Sequence, residues 1–203
     1  MAPESGDREQ AVAEALSLAR AAWQDLRDTY RGEALGRLER DYGGLLCAAW
    51  EQRDAGVARG LFEAALDRAR RDGDEAMIAA VLMPLSMLAL DRGDLAGARA
   101  WLTERMALIL GTEQAAAIPV ALEQFAVLAA AEGRPRRAVT LAAAAAAKRE
   151  SLGTRQGPEM RDWADGHLSA ARRALSGRDT AAAVADGITL SLEQAVRYAV
   201  RAG

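Results

Sequence analysis

The strongest pattern in the chain is an apolar run that stops at a polar turn and resumes with helical spacing. Residues 87–102 read MLALDRGDLAGARAWL. Met87, Leu88 and Leu90 end one apolar segment, Asp91-Arg92-Gly93-Asp94 interrupts it, and Ala98 and Trp101 belong to the next. Gly93 suits the left-handed conformation that ends a helix, and the Asp94 carboxylate suits the cap of the following one. The spacing predicts two helices joined by a tight turn. The signature returns at Glu132-Gly133-Arg134-Pro135 before Ala138, with Pro135 set for a first helical turn, and more weakly at Arg53-Asp54-Ala55-Gly56 before Ala58. Ala58, Ala98 and Ala138 recur at intervals of 40 residues. A fixed period of that size in a helical pattern predicts stacked helix pairs, a solenoid.

The rest of the chain fits the same reading. Val12, Leu16, Ala19, Trp23, Leu26 and Tyr30 form one buried stripe of a helix over residues 7–30. A charged connector with Gly32 and Gly36 follows. Helix pairs are expected at about 41–52 with 55–71, 75–91 with 95–109, and 114–131 with 135–150. Pro158 starts a helix to about Leu175, closed by Ser176-Gly177. A short helix at about 179–186 is closed by Gly187. Ser191-Leu192-Glu193-Gln194 forms a capping box for a last helix over 192–201. The expected organisation is one continuous domain: an N-terminal helix and connector at 1–40, three helix-hairpin repeats at 41–150, and a C-terminal helical cap at 151–203.

Composition narrows the class. Hydrophobic residues make up 51% of the chain but aromatics only 4%, so the apolar content is mostly Ala and Leu, which suits close-packed helices. A net charge of −3 argues against a global attraction to nucleic acid or to an anionic membrane. Cys47 is the single cysteine, which excludes an internal disulfide and fits a reducing compartment. The opening residues MAPESGDREQ lack an apolar signal core, and no stretch reaches the roughly 20 apolar residues of a membrane span. A cytoplasmic location is the expectation.

The small residues of each first helix (Ser86 with Ala89, Ala126 with Ala129), the turn glycines Gly93 and Gly133, and the second-helix alanines Ala58, Ala98 and Ala138 together resemble tetratricopeptide-type repeats widened to about 40 residues. The stretches LEQFAVLAAAEGRPRRAVTLAAAAAAKRESLG, GPEMRDW and AAAVADGITLSLEQAVRYAV resemble the C-terminal end of large actinobacterial regulators. These are the ATPase-linked transcriptional regulators of LuxR type and the signal-transduction ATPases with numerous domains. The resemblance covers roughly residues 41–203. It implies an all-α, tetratricopeptide-like helical-hairpin solenoid with C-terminal capping helices, and a sensing role. ATPase activity and DNA binding do not carry over, since the chain has no G-x-x-x-x-G-K-[ST] loop and no helix-turn-helix. Asp165-Gly166-His167 departs from the plain helix formers usual at that place.

Repeat position assigns the inner, concave wall to the first helix of each pair. Gly43, Cys47, Trp50 and Glu51 come from pair one, Met83, Met87, Leu90 and Asp91 from pair two, and Glu123, Val127, Ala130 and Ala131 from pair three. The wall is apolar and rich in methionine, whose flexible thioether suits adaptable recognition. Several such side chains, at about 1.5–3 kcal/mol each, are too costly to leave wet. Two coverings are open: the chain's own last helix or helix 158–175 folding back, or an external protein, peptide or hydrophobic small molecule. Asp162 and Asp165 share a helix face and His167 lies off it; a metal site or general base is one reading, but a solvated helix surface is the expectation, because no second ligand cluster with metal spacing exists elsewhere in the sequence. The basic runs Arg68–Arg71 and Arg134–Arg137 read as solvated helix termini. No cofactor is expected.

The functional expectation is a non-enzymatic binding or sensing module in transcriptional or biosynthetic regulation, with no direct nucleic-acid or membrane contact. The alternative is a small enzyme using the groove as a hydrophobic chamber, with Glu51, Asp91 or Glu123 as acid or base. A homodimer is a third arrangement, since the half-repeat at 7–30 leaves an end that a second copy would cover.

Overall fold

The computed structural model describes residues 55–111 and 115–201. Among them are eight α-helices and no strand. The helices are α1 (Ala55–Asp72), α2 (Glu75–Asp91), α3 (Leu95–Gly111), α4 (Ile118–Ala131), α5 (Pro135–Ser151), α6 (Pro158–Arg173), α7 (Gly177–Thr189) and α8 (Leu192–Val200). One turn of 3-10 helix, Ala115–Ala117, leads into α4. Residues 62–203 form one compact unit. The expected helices at 7–30 and 41–52, with Gly43, Cys47, Trp50 and Glu51, lie outside the described residues.

The turns form as their residues dictate. Gly93 sits at φ 73° and Gly133 at φ 72°, where a Cβ would be strained. At the first, the Asp94 amide reaches back to Ala89 O (2.9 Å) and the Gly93 amide to Leu90 O (3.1 Å). At the second, Arg134 and Gly133 bond Ala129 O (2.9 Å) and Ala130 O (3.0 Å). This paired pattern satisfies carbonyls that a helix end leaves bare. The same pair of bonds closes α1 at Gly73 and α5 at Gly153. Asp74 and Asp94 then cap α2 and α3 by accepting from the Met77 and Gly97 amides (3.0 and 2.9 Å), while Pro135 and Pro158 open α5 and α6.

Two helix pairs result, α2 with α3 and α4 with α5. Ala98 and Ala138, the recurring small residues, are each fully buried. So are Ser86 and Ala126, with Ala89 and Ala129 nearly so. Leu82, Leu85, Leu102, Met106, Ile109, Leu122, Phe125, Leu128 and Leu141 fill the space between the pairs.

Beyond the second pair the pattern changes. α6 packs on α4 and α5, and α7 packs along α5, so α6 and α7 do not form a third hairpin of the same kind. Gly187 explains the close fit of α7. A Cβ built there would lie 2.2 Å from Thr140 O and 2.8 Å from the Ala143 Cβ. The expected helix end at Gly187 is therefore corrected: α7 runs through it to Thr189, and the glycine is a contact point within the helix. Ser176-Gly177 likewise does not close the preceding helix, which ends at Arg173. Ser176 instead caps α7 by accepting from the Asp179 amide (3.1 Å). The capping box of α8 forms as expected: Ser191 Oγ accepts from the Gln194 amide (3.1 Å), and Gln194 Oε1 accepts from the Ser191 amide (2.8 Å).

The run Arg134–Arg137 is more engaged than a solvated terminus. Arg136 pairs with Asp186 of α7 (2.9 Å). Arg137 donates to Tyr198 O (2.6 Å) and Ala199 O (3.1 Å) at the end of α8, and its guanidinium lies 4.9 Å from the Tyr198 ring centre. A cation at a helix C-terminus completes its bare carbonyls and opposes its dipole.

Candidate functional site

Helix α2 is apolar almost all round, so most of it is core. Ten of its residues are buried, Leu90 among them. Met83 and Met87, one turn apart, are its large apolar side chains that remain half-buried. Asp91 is the last residue of α2. On α4, Glu123 and Val127 are both buried at 8% and 1% exposure, whereas Ala131 is exposed. Leu90 and Val127 are thus core residues, and of the expected wall of α2 only Met83, Met87 and Asp91 keep an open surface.

Helix α6 packs on α4 and reaches the end of α2 at Asp91. In the α2–α5 pairs, α4 rests mainly on α3 and less on α2; α6 instead rests mainly on α4 and less on α5. It buries Ala164, Leu168 and Ala171, a stripe at helical spacing. Trp163 and His167 stand one turn apart beside that stripe and converge on Asp91, the last residue of α2. Trp163 Nε1 donates to Asp91 Oδ1 at 3.0 Å, and His167 Nε2 lies 2.7 Å from the same oxygen. A carboxylate oxygen only accepts, which places a hydrogen on Nε2. The two rings pack with centroids 5.0 Å apart, tilted by 60°.

Just before α6, Gln156 Nε2 donates to Glu123 Oε2 at 2.5 Å, and Arg149 of α5 donates to the same oxygen at 3.2 Å. The expected residues Asp91 and Glu123 are therefore brought into one arrangement by the C-terminal segment. Each is held by two donors. The partners were absent from the sequence reading. The signal for one set was present: an indole and an imidazole at i, i+4 can address one acceptor.

Asp162 and Asp165 are exposed, and Asp165 pairs with Arg172 (2.8 Å), so the grouping Asp162, Asp165 and His167 does not form a site. Among the described residues no group of three or more His, Cys, Asp and Glu is placed to hold a metal ion.

Burial pushes the Glu123 carboxyl above its ordinary range; Arg149 and the Gln156 hydrogen bond oppose the rise, and Asp165 adds to it. The folded protein therefore holds this proton more tightly than the unfolded chain does. The contribution of Glu123 to stability is full below its unfolded value and declines as pH rises from there through the folded value. Glu123→Gln keeps an acceptor for Arg149 and Gln156 and removes this titration. The variant is expected to lose stability less steeply than wild type between about pH 4.5 and neutrality. Urea midpoints across that range measure it; parallel curves for the two proteins would contradict it.

No protein-family model, no curated protein and no solved structure matches this chain.

Proposed function

We propose that this protein is a non-catalytic binding module of tetratricopeptide-like helix hairpins whose ligand is an amphipathic helix of another protein. The observation that carries the reading is α6 itself: α4 and α5 already accept a helix through a small apolar stripe, and Asp91 at the end of α2 fixes it by hydrogen bonds. Met83 and Met87 stand half-buried on α2, the helix that ends at Asp91, and supply the adaptable apolar surface that such a partner needs. The resemblance to sensor ends of transcriptional regulators supplies the setting, regulation by association. Of the three acids that an enzyme would use, Asp91 and Glu123 are engaged by side chains of the same chain, which favours recognition over acid–base chemistry; Glu51 lies outside the described residues.

A fluorescent apolar dye, bis-anilinonaphthalene sulfonate, tests the surface. Met87→Glu places a charge on the half-open strip, and dye affinity is expected to fall at least about fivefold, the effect of roughly 1 kcal/mol, with unchanged helical circular dichroism. Undiminished dye binding would remove this strip from the reading.

A further inference from the structure

The chain around α6 is arranged so that α6 is an excursion. The helices on either side of it, α5 and α7, pack directly on each other through Gly187. The following helix, α8, is anchored to α5 by Arg137 without reference to α6. Moving α6 therefore need not undo its neighbours. The connection before it contains Gly153 and Gly157, and the one after it ends at Ser176, the cap of α7. What holds α6 is a short stripe of Ala164, Leu168 and Ala171 and the hydrogen bonds to Asp91, while Gln156 ties the connection before it to Glu123. Its outer side, with Arg161, Asp162, Asp165, Arg172 and Arg173, is exposed.

We propose that α6 is an internal occupant of the recognition face, replaced by a partner helix that carries two aromatic side chains with N–H donors spaced i, i+4 and aimed at Asp91. This rests on the binding-module reading above and states the chemistry of its partner. Specificity comes from Asp91, whose single oxygen Oδ1 serves both donors in the closed form. A helix with the apolar stripe alone would leave that carboxylate beside an apolar surface without its donors, which disfavours it. The internal copy reduces the apparent affinity for the external one by the fraction of molecules in which the face is open.

The probe is a fluorescein-labelled peptide of residues 158–173, titrated into the full chain and followed by anisotropy. Wild type is expected to bind it weakly. A full chain carrying Trp163→Phe and His167→Ala keeps Asp91 but loses both internal donors, and is expected to bind roughly tenfold more tightly. Adding Asp91→Ala is expected to cancel that gain. Equal affinity in wild type and the double variant, or a gain that survives Asp91→Ala, would overturn the proposal. Hydrogen exchange gives an independent reading: the α6 amides of the double variant are expected to exchange faster while those of α4 and α5 do not. Exchange of α6 that stays tied to α4 and α5 would overturn the proposal as well. Failure here with dye binding intact sinks the displaceable helix alone; loss of the dye effect sinks the binding surface.

Discussion

A leucine in place of Gly187 is expected to destabilise the protein by about 3 kcal/mol, near the upper end for overpacking. Two effects compete at this position. Glycine inside a helix costs about 1 kcal/mol relative to a good helix former, so any side chain begins with an advantage. Against that, the first added carbon would lie 2.2 Å from Thr140 O and 3.0 Å from Ala144 N, both backbone atoms of α5. Backbone cannot swing aside as a side-chain tip does, so α7 must lift from α5. For a chain of this size the loss corresponds to a drop of about 6–12 °C in melting temperature. Gly166 provides the opposite case within the same cap. It is helical, exposed, and has nothing within 4 Å of its missing Cβ. Gly166→Ala is expected to stabilise by up to about 1 kcal/mol. Both are measured by thermal and urea unfolding. A Gly187→Leu protein that melts with wild type would mean that α7 does not pack on α5 as described.

The helix ends were the readable part of this chain, because each is made by a few adjacent residues. Gly93, Asp94, Gly133 and Pro135 act locally, and their turns form as their chemistry requires. Gly187 shows where local reading stops. A glycine late in a helical stretch signals a helix end as readily as a close contact, and only the presence of α5 decides between them. The alanines at 142–147 were legible as helix formers, but their value for close packing is visible only once α7 lies alongside. Legibility was lowest at the candidate site. Met83, Met87, Asp91 and Glu123 were identified by repeat position, yet their partners stand far away in sequence: Asp91 and His167 are separated by 76 residues. No periodicity links them, because the link is made by where α6 comes to rest. Of the segments that the sequence offered as a covering, helix 158–175 corresponds to α6, which rests on α4 and α5 and reaches Asp91 at the end of α2.

Gln124→Leu is expected to cost about 3 kcal/mol, although leucine is apolar, similar in size and placed in a core. Gln124 is fully buried, and Arg105 is 4% exposed. The glutamine donates from Nε2 to Met83 O (3.1 Å) and accepts at Oε1 from Arg105 (3.2 Å), while Arg105 Nε donates to Ala79 O (3.1 Å). The network thus ties α2, α3 and α4 together. Pro84 directly follows Met83, the second of the network's two attachment points on α2. Leucine removes a donor and an acceptor at once, and it leaves a buried guanidinium short of one partner. A lost bond to a charged group costs more than the 1–3 kcal/mol or so typical of neutral ones. Gln124→Glu restores an acceptor for Arg105 and is expected to recover part of the loss. The exposed pair Arg70–Glu104, also bonded at 2.8 Å, offers the contrast: Glu104→Gln is expected to change stability by less than about 1 kcal/mol, because water screens it. Since Gln124 fixes α4 to α2, it also sets the spacing between Glu123 and Asp91 that the C-terminal segment must match. Faster hydrogen exchange in α6 of Gln124→Leu, under conditions where the protein stays folded, is the expected consequence. A urea midpoint within error of wild type would show that the network carries little of the load between these helices.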